Sequence, residues 1–266
     1  MGAVGSVGGL VRSWRQRRGL TQLDVSVETG VSTRHLSYVE TGRARPSREL
    51  LLMLAGHLRV PLGERNRWLL AAGFSPVYPE VAVDGPELAA LRHQFRRLMA
   101  AHEPNPALLV DRHWNLVESN GAARFLVDGV AAHLLEPPIN ILRLALHPQG
   151  LPRISTGSPW CLGELLRRLA DEARATADAG LRALVDELEG YVRAAGPAAG
   201  TAEPPPADAV LGTFEVKTRL GAVRLFTVMA TLMTPVEVTS SGLSLETYLP
   251  ADDDSARLLE ELHRTT

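Results

Sequence analysis

Cysteine is almost missing from this chain of 266 residues: Cys161 stands alone. No intramolecular disulfide can form, and no cysteine metal cluster exists. Cys161 follows Trp160 and precedes an amphipathic stretch, so it reads either as a buried free thiol or as a redox sensor activated at a helix N-terminus. Lysine is just as scarce, with Lys217 against 27 arginines, a bias that points to a GC-rich bacterial genome such as an actinomycete's. No apolar run reaches the roughly 18 residues of a membrane span. Met1–Gly9 lacks a basic region followed by an apolar core, so residues 1–9 are expected to be a flexible tail and the protein cytoplasmic. Enzymatic signatures are missing too. There is no Gly-x-Ser-x-Gly and no phosphate-cradling glycine loop, and the eight histidines have no ligand spacing. His102-Glu103 is not a zinc-protease motif, because Pro106 breaks the helix that motif needs. The expectation is therefore a protein that is not an enzyme, with no metal and no cofactor beyond a possible bound apolar ligand.

Charge is unevenly spread. The overall balance is −2, but residues 1–80 carry a net +5 and residues 81–266 a net −7. A basic head on an acidic body suits a nucleic-acid-binding module joined to a regulatory one.

Within the head, Leu20 to Pro46 is the densest signal. Thr21 stands where an N-cap belongs, Val25 and Thr29 follow at helical spacing, and Gly30 can take the positive φ that ends a helix. Ser32 caps the next helix, with Leu36 and Val39 inward and Thr33, Arg34, Ser37 and Tyr38 outward. This is a helix-turn-helix whose second helix presents its first residues to the major groove. A helical hairpin used only for protein contacts is the alternative. Arginine can donate twice to guanine, which makes Arg34 the expected base reader. Thr33, Ser37 and Tyr38 are the expected neighbouring contacts; Gln22, Ser32, Arg43 and Arg45 are the expected phosphate ligands. One module reads few base pairs, so a homodimer on an inverted-repeat operator is expected, with reading helices about 34 Å apart or a multiple of that.

Around this motif, Leu10, Val11 and Trp14 form the stripe of a first helix, with Arg12, Arg15, Arg17 and Arg18 facing solvent or DNA. Ser47 caps a fourth helix carrying Leu50, Leu51, Leu54 and Leu58. Pro61 precedes a fifth with Trp68, Leu69 and Leu70, which Gly73 ends. The expected first domain spans 10–75 as an all-α five-helix unit, and 76–86 is a connector.

The remainder, 87–266, changes character. A helix is expected over Pro86–Ala101 with Leu88, Leu91, Phe95 and Leu98 on one side, and His102 to Pro106 stops it. Ala107–Val110 and Trp114–Ser119 read as strands, Asn120–Val127 as helical, and Ile139–Leu146 as apolar but interrupted. Cys161–Thr176 and Gly180–Ala194 read as amphipathic helices. The proline-rich stretch 196–207 is a flexible loop. Beyond it the period becomes two over Val210–Thr218, Val223–Met233 and Ser244–Tyr248, before a helix over Asp252–His263. This order gives an α+β domain with helices over an antiparallel sheet.

Two resemblances follow from these words. The head, with Leu20-Thr-Gln22, Gly30-Val-Ser32 and Leu36…Glu40-x-Gly42-x-x-x-Pro46, resembles the Xre/Cro/repressor helix-turn-helix. It departs from that pattern with Ser26 for the usual Ala and with apolar Leu23 and Val27. The whole chain over 10–262 resembles the MmyB-like regulators. The matching words are Pro61-Leu-Gly-Glu-Arg-Asn66, Leu70-Ala-Ala-Gly-Phe74, His102-Glu-Pro-Asn-Pro-Ala107, Val110-Asp-Arg-His-Trp-Asn115, Ile141-Leu-Arg-Leu-Ala-Leu-His-Pro148 and Leu245-Glu-Thr-Tyr-Leu-Pro250, then Ala251-Asp252. Glu237 stands where that family usually has Asp. The resemblance implies a PAS-like C-terminal domain with a cavity for a small apolar molecule such as a fatty acid. Leu108, Val110, Trp114, Val117, Val223, Leu225, Val228, Ala230 and Leu232 are the wall this reading offers; a dry core is the alternative. Asn140, Arg143 and His147 fall on one face of a helix and could form a polar headgroup site. Alternatively Arg143 pairs with an acid such as Glu246, and His147 merely ends the helix before Pro148. The function expected is a sequence-specific, DNA-binding regulator that senses this ligand. The competing reading is a regulator whose C-terminal domain only dimerises or binds a protein.

Overall fold

The computed structural model describes residues 6–151, 155–157, 159–176, 178–194 and 212–265; the side chain of Cys161 and the 196–207 loop lie outside the described residues. The chain forms two compact units. The first holds residues 1–81 together with 174–177 and 235–241, and the second holds the rest.

The first unit contains α1 (Val7–Arg17), α2 (Gln22–Thr29), α3 (Thr33–Glu40), α4 (Arg48–His57) and α5 (Leu62–Ala71). Residues 7–9 of the expected tail are helical. Ser6 caps α1 by accepting from the Gly9 N–H at 3.2 Å, so the helix begins at Val7. Thr21, Ser32 and Ser47 cap α2, α3 and α4 in the same way, each satisfying an orphan N–H of the first turn. Thr21 and Asp24 cap each other reciprocally, and Gly30 leaves α2 at φ 73°. Val11, Trp14, Val25, Leu36, Val39, Leu51, Leu54, Leu58, Trp68 and Leu69 fill one core. Each aliphatic side chain buried there contributes about 1.5–3 kcal/mol. Leu70, expected inward, is 58% exposed, because it turns away from the stripe that Trp68 and Leu69 occupy.

The second unit is built on a six-stranded sheet, β1 (Ala107–Val110), β2 (Leu116–Ser119), β3 (Ser155–Gly157), β4 (Phe214–Thr218), β5 (Gly221–Thr231) and β6 (Ser244–Pro250). The order is β2-β1-β6-β5-β4-β3, with every pairing antiparallel. The sheet has the PAS-like arrangement, with β6 and β5 central and the short edge strand β3 added where no strand was expected. Successive side chains point to opposite faces. One face carries Leu108, Val110, Val216, Val223, Leu225 and Tyr248. It packs against α7 (Ile141–Leu146), the 3-10 turn Gly121–Val127 and α10 (Asp253–Arg264). The other carries Ala107, Leu109 and Leu245 against Phe95 and Met99 of α6 (Ala89–His102). Leu98, expected on that stripe, is 52% exposed, and Met99 takes its place. A further cluster joins α7 to α8 (Pro159–Thr176) and α9 (Ala179–Ala194) through Leu142, Leu146, Leu169, Leu181 and Leu188.

Candidate DNA-reading face and candidate sensor core

On α3, Thr33 and Arg34 are exposed, Ser37 and Tyr38 are half-buried, and Leu36 and Val39 are inside, as the pattern requires. Arg34 Nε donates to the Tyr38 hydroxyl at 3.1 Å, and its guanidinium lies 5.4 Å from the ring centroid. That contact holds the arginine along the helix surface with four N–H donors still available.

The orientation of α3 is set from below. Glu40, at its C-terminal end, is buried against α1, where Arg15 donates to it through Nε at 2.6 Å and Nη2 at 3.0 Å. Gln22 Nε2 adds a bond to Glu40 at 2.9 Å, and Arg15 Nη1 caps the Leu20 carbonyl at 2.7 Å. Burial pushes the Glu40 carboxyl up, but the bonds from Arg15 and Gln22 and the Arg15 charge outweigh it, leaving it below its ordinary value. Arg15 was expected to face solvent or DNA and does neither. Gln22, expected to hold a phosphate, has one amide hydrogen committed to Glu40. Arg45 leans the other way and donates to the Ala72 carbonyl at the end of α5 at 3.1 Å. Arg18 caps α4 through the Leu58 and Arg59 carbonyls, both at 2.9 Å. Ser32 spends its hydroxyl oxygen on the His35 N–H, and Arg43 is exposed. Of the predicted phosphate ligands, Arg43 is the one whose side chain the structure leaves on the surface with no second task. Leu23 and Val27, one turn apart on α2, are 62% and 75% exposed.

In the second unit the predicted wall divides between two faces. Leu108, Val110 and Leu225 share the α7/α10 face, and Trp114 packs at its margin. Val117 and Leu232 pack on the α6 face instead. Register puts Val228 opposite Thr247 and Ala230 opposite Leu245, so these two also project toward the α6 side, and both are exposed. A single groove lined by all of these residues is therefore excluded. The alternation in β5 was read correctly, but it was joined to the wrong half of β1. A hollow among the described residues, about 200 Å³ including space open to solvent, is lined by Pro104, Ala122, Phe125, Leu259, Leu262 and His263, none of them predicted.

The headgroup trio is also redirected. Asn140 is the N-cap of α7, accepting from Arg143 N–H at 3.1 Å and donating to the His113 carbonyl at 2.8 Å and to Asn115 Oδ1 at 3.1 Å. Arg143 forms a bidentate pair with Glu187 of α9 at 2.8 and 2.9 Å, not with Glu246. Glu187 also accepts from Tyr191, whose hydroxyl is pushed up to about 12 by burial and by that bond. His147 closes α7 just before Pro148, and its Nδ1 accepts from Gln149 N–H at 3.1 Å.

Comparison with known proteins decides the family. The MmyB-like transcription regulator ligand binding domain matches residues 91–262, well over half the chain, and a helix-turn-helix domain matches residues 6–68. This chain belongs to the MmyB-like transcription regulators. Uncharacterized HTH-type transcriptional regulators of Mycobacterium bovis and Mycobacterium tuberculosis are 32% identical over 132 residues, covering 47% of this chain and 45% of each relative. The chain thus matches just under half the length of those relatives. An RNA-binding light-oxygen-voltage receptor aligns over 98% of this chain and 61% of its own, at 15% identity and a TM-score of 0.28, too low to carry any argument. No described helix of the regulator is long and apolar enough to cross a membrane.

One residue of the regulator escaped the sequence reading, and a second was singled out there without its role. Asn120 is buried and ties three segments together. Its Nδ2 donates to the Met99 and Asn105 carbonyls at 3.1 and 2.8 Å, while its Oδ1 accepts from Ala107 N–H at 3.0 Å. Its place between the end of β2 and the turn opened by Gly121 is the one sequence signal it carried. The second is Glu237, in the connection between β5 and β6. One carboxylate oxygen accepts from Thr239 N–H at 2.6 Å and Val81 N–H at 3.2 Å, and the other from Ser240 N–H at 2.7 Å. Thr239 donates to the Val81 carbonyl at 2.6 Å, and Val238 N–H donates to the Pro79 carbonyl at 2.8 Å. Burial raises the Glu237 carboxyl, but the backbone donors hold it below its ordinary value. The extra methylene over the family's usual Asp lengthens the reach of this carboxylate.

Proposed function

We propose that this regulator binds operator DNA sequence-specifically through α3 and that its C-terminal domain senses a small apolar ligand. The observation that carries the first half is Arg34. It is exposed at the N-terminal end of a helix whose base is clamped by the buried Arg15–Glu40 pair. Arg34 reads a guanine edge, Thr33, Ser37 and Tyr38 make neighbouring contacts, and Arg43 supplies phosphate attraction. A homodimer on an inverted repeat supplies the specificity that one module lacks. Selection of an operator from random DNA, followed by binding of Arg34→Ala, tests the reading. Unchanged affinity for the selected site would overturn it.

The sensing half rests on family membership and on the apolar face formed by Leu108, Val110 and Leu225 with α7 and α10. Fatty acids are the first class to try, since the resemblance implies them. Occupancy changes DNA affinity only if the ligand binds the DNA-competent and incompetent states unequally. Native mass spectrometry of the purified protein, with and without added lipid, is the direct test. One observation favours the competing reading of a dimerisation or partner surface: residues 227–231 of β5 are exposed, with Val228 at 44% and Met229 at 43%. Failure of every apolar ligand to bind, with a dimer lost on Met229→Asp, would establish that reading instead.

A further inference from the structure

Strand β5 outruns one of its neighbours. Its pairing with β4 ends at Leu225 opposite Phe214, while its pairing with β6 continues to Thr231 opposite Ser244. Among the described residues no strand pairs with the outer edge of residues 227–231, and all five are exposed. The phase of that edge follows from β6. Tyr248 N–H donates to the Pro106 carbonyl at 2.9 Å, so its backbone faces β1 and turns away from Thr227, the residue opposite it on β5. Direction alternates along an antiparallel ladder, so Thr227, Met229 and Thr231 aim their N–H and C=O groups outward. Such a row is a template for a further strand, and proteins ordinarily guard it with charge, proline or a very short strand. The terminal strands of this sheet do so: β3 has three residues, and β2 has four, with Glu118 bound to Arg96. The β5 edge is unguarded, since residues 225–234 contain no charged residue and no proline.

Resting on the homodimer proposed above, and independent of any ligand, we propose that this edge is the dimer contact of the C-terminal domain. There β5 of a second copy pairs antiparallel about a two-fold axis at Met229. In that register Met229 meets its own copy and Thr227 meets Thr231 of the second copy, and the reverse. The outward N–H and C=O groups of both strands then satisfy each other, two bonds to each pair. Val228 falls opposite Ala230 of the second copy, on the same face of the joined sheet. Charge favours a second copy at this place. Residues 81–266 carry a net −7, so two copies repel over most approaches, and an uncharged edge sets no like charges together.

The test is sedimentation of the full-length protein, free and on its selected operator, with circular dichroism and urea unfolding to confirm that each variant is folded. Met229→Pro removes the central donor from both strands and costs the monomer no ladder bond, because that N–H points outward. Thr227→Lys combined with Thr231→Lys sets lysines directly opposite each other across the axis. Each change is expected to weaken self-association about tenfold or more and to leave the monomer's stability nearly unchanged. In a Cys161→Ser background, Met229→Cys is expected to give a disulfide-linked dimer on mild oxidation, since the central Cα atoms lie about 5.5 Å apart. Thr231→Cys, offset along the strand from its own copy, is expected to give none. A dimer unmoved by both edge variants, no cross-link from Met229→Cys, or an equal one from Thr231→Cys would overturn the edge and leave the homodimer standing. A parent chain that stays monomeric, free and on DNA, would overturn the homodimer and the edge with it.

Discussion

The two units of this regulator treat buried charge in opposite ways. In the head, Glu40 is sealed under α3 but receives three hydrogen bonds, two of them from a guanidinium. In the sensor, Glu246 is sealed under the sheet with one oxygen bare and a phenol for company. A fully paired buried charge fixes a geometry, whereas a bare one keeps part of its interaction capacity in reserve. The head thus anchors α3 through a fully bonded charge, and the second unit keeps one carboxylate oxygen without a partner.

The comparison can be broken most forcefully at Glu40. Glu40→Ala leaves the Arg15 guanidinium uncompensated in the interior, and loss of one partner of a buried pair costs about 3–5 kcal/mol. Urea unfolding should lose that stability, and operator binding should fall with it as α3 loses its anchor. A variant as stable as the parent would mean that the clamp is incidental.

Glu246 should give an effect nearly as large, but with a pH signature. Its folded value is about 7 against an ordinary 4.5. Below pH 4.5 it is protonated in folded and unfolded chains alike and contributes no difference. Between 4.5 and 7 only the unfolded chain ionises freely, so stability falls as pH rises, by on the order of 3 kcal/mol in all. Glu246→Gln should flatten this slope in unfolding midpoints measured from pH 4.5 to 8.

Smaller effects belong to the reading face. Arg34→Ala should cost about 1–3 kcal/mol of operator affinity and relax preference at one base pair. Arg43→Ala should weaken all sequences alike and reduce the salt slope by about 1. Both are visible in gel shifts against salt, and a uniform loss for Arg34→Ala would reassign it as a phosphate ligand. The smallest change should come from Arg143→Ala. Its pair with Glu187 is about two-fifths exposed at the arginine, so solvent screening limits the loss to about 1 kcal/mol or less by thermal unfolding.

The head was legible because its information is local. Serine and threonine caps, a positive-φ glycine and a 3.6-residue stripe each act within one turn, and they placed α2, α3 and α4 almost to the residue. What escaped there was long-range: Arg15 reaches 25 residues to Glu40, and α1 can approach Val39 and Glu40 only because residue 8 is glycine, since a Cβ there would sit 2.2 Å from the Val39 carbonyl oxygen. In the sensor the strands were legible from their period of two, but which face of β5 met which face of β1 was not. That choice is made by the register of β6 between them, which pairs Leu108 with Glu246 and Met229 with Glu246. Hence Leu225 was placed with the right partners while Val228, Ala230, Leu232 and Val117 were not. Glu246 itself looked like an ordinary strand acid and a partner for Arg143, because nothing in sequence marks a carboxyl that the sheet will bury.

The Glu237 segment bears on how the chain may be divided. Pro79 and Val81 find the partners of their backbone groups in residues 156 to 159 positions later, within the same compact unit. A fragment cut at the end of the connector would carry all five helices of the head yet leave those carbonyls and that N–H to water. The unit that holds the head is thus assembled from separated stretches of the chain, and a transplantable version of this head would have to bring residues 235–241 along, grafted as a separate piece.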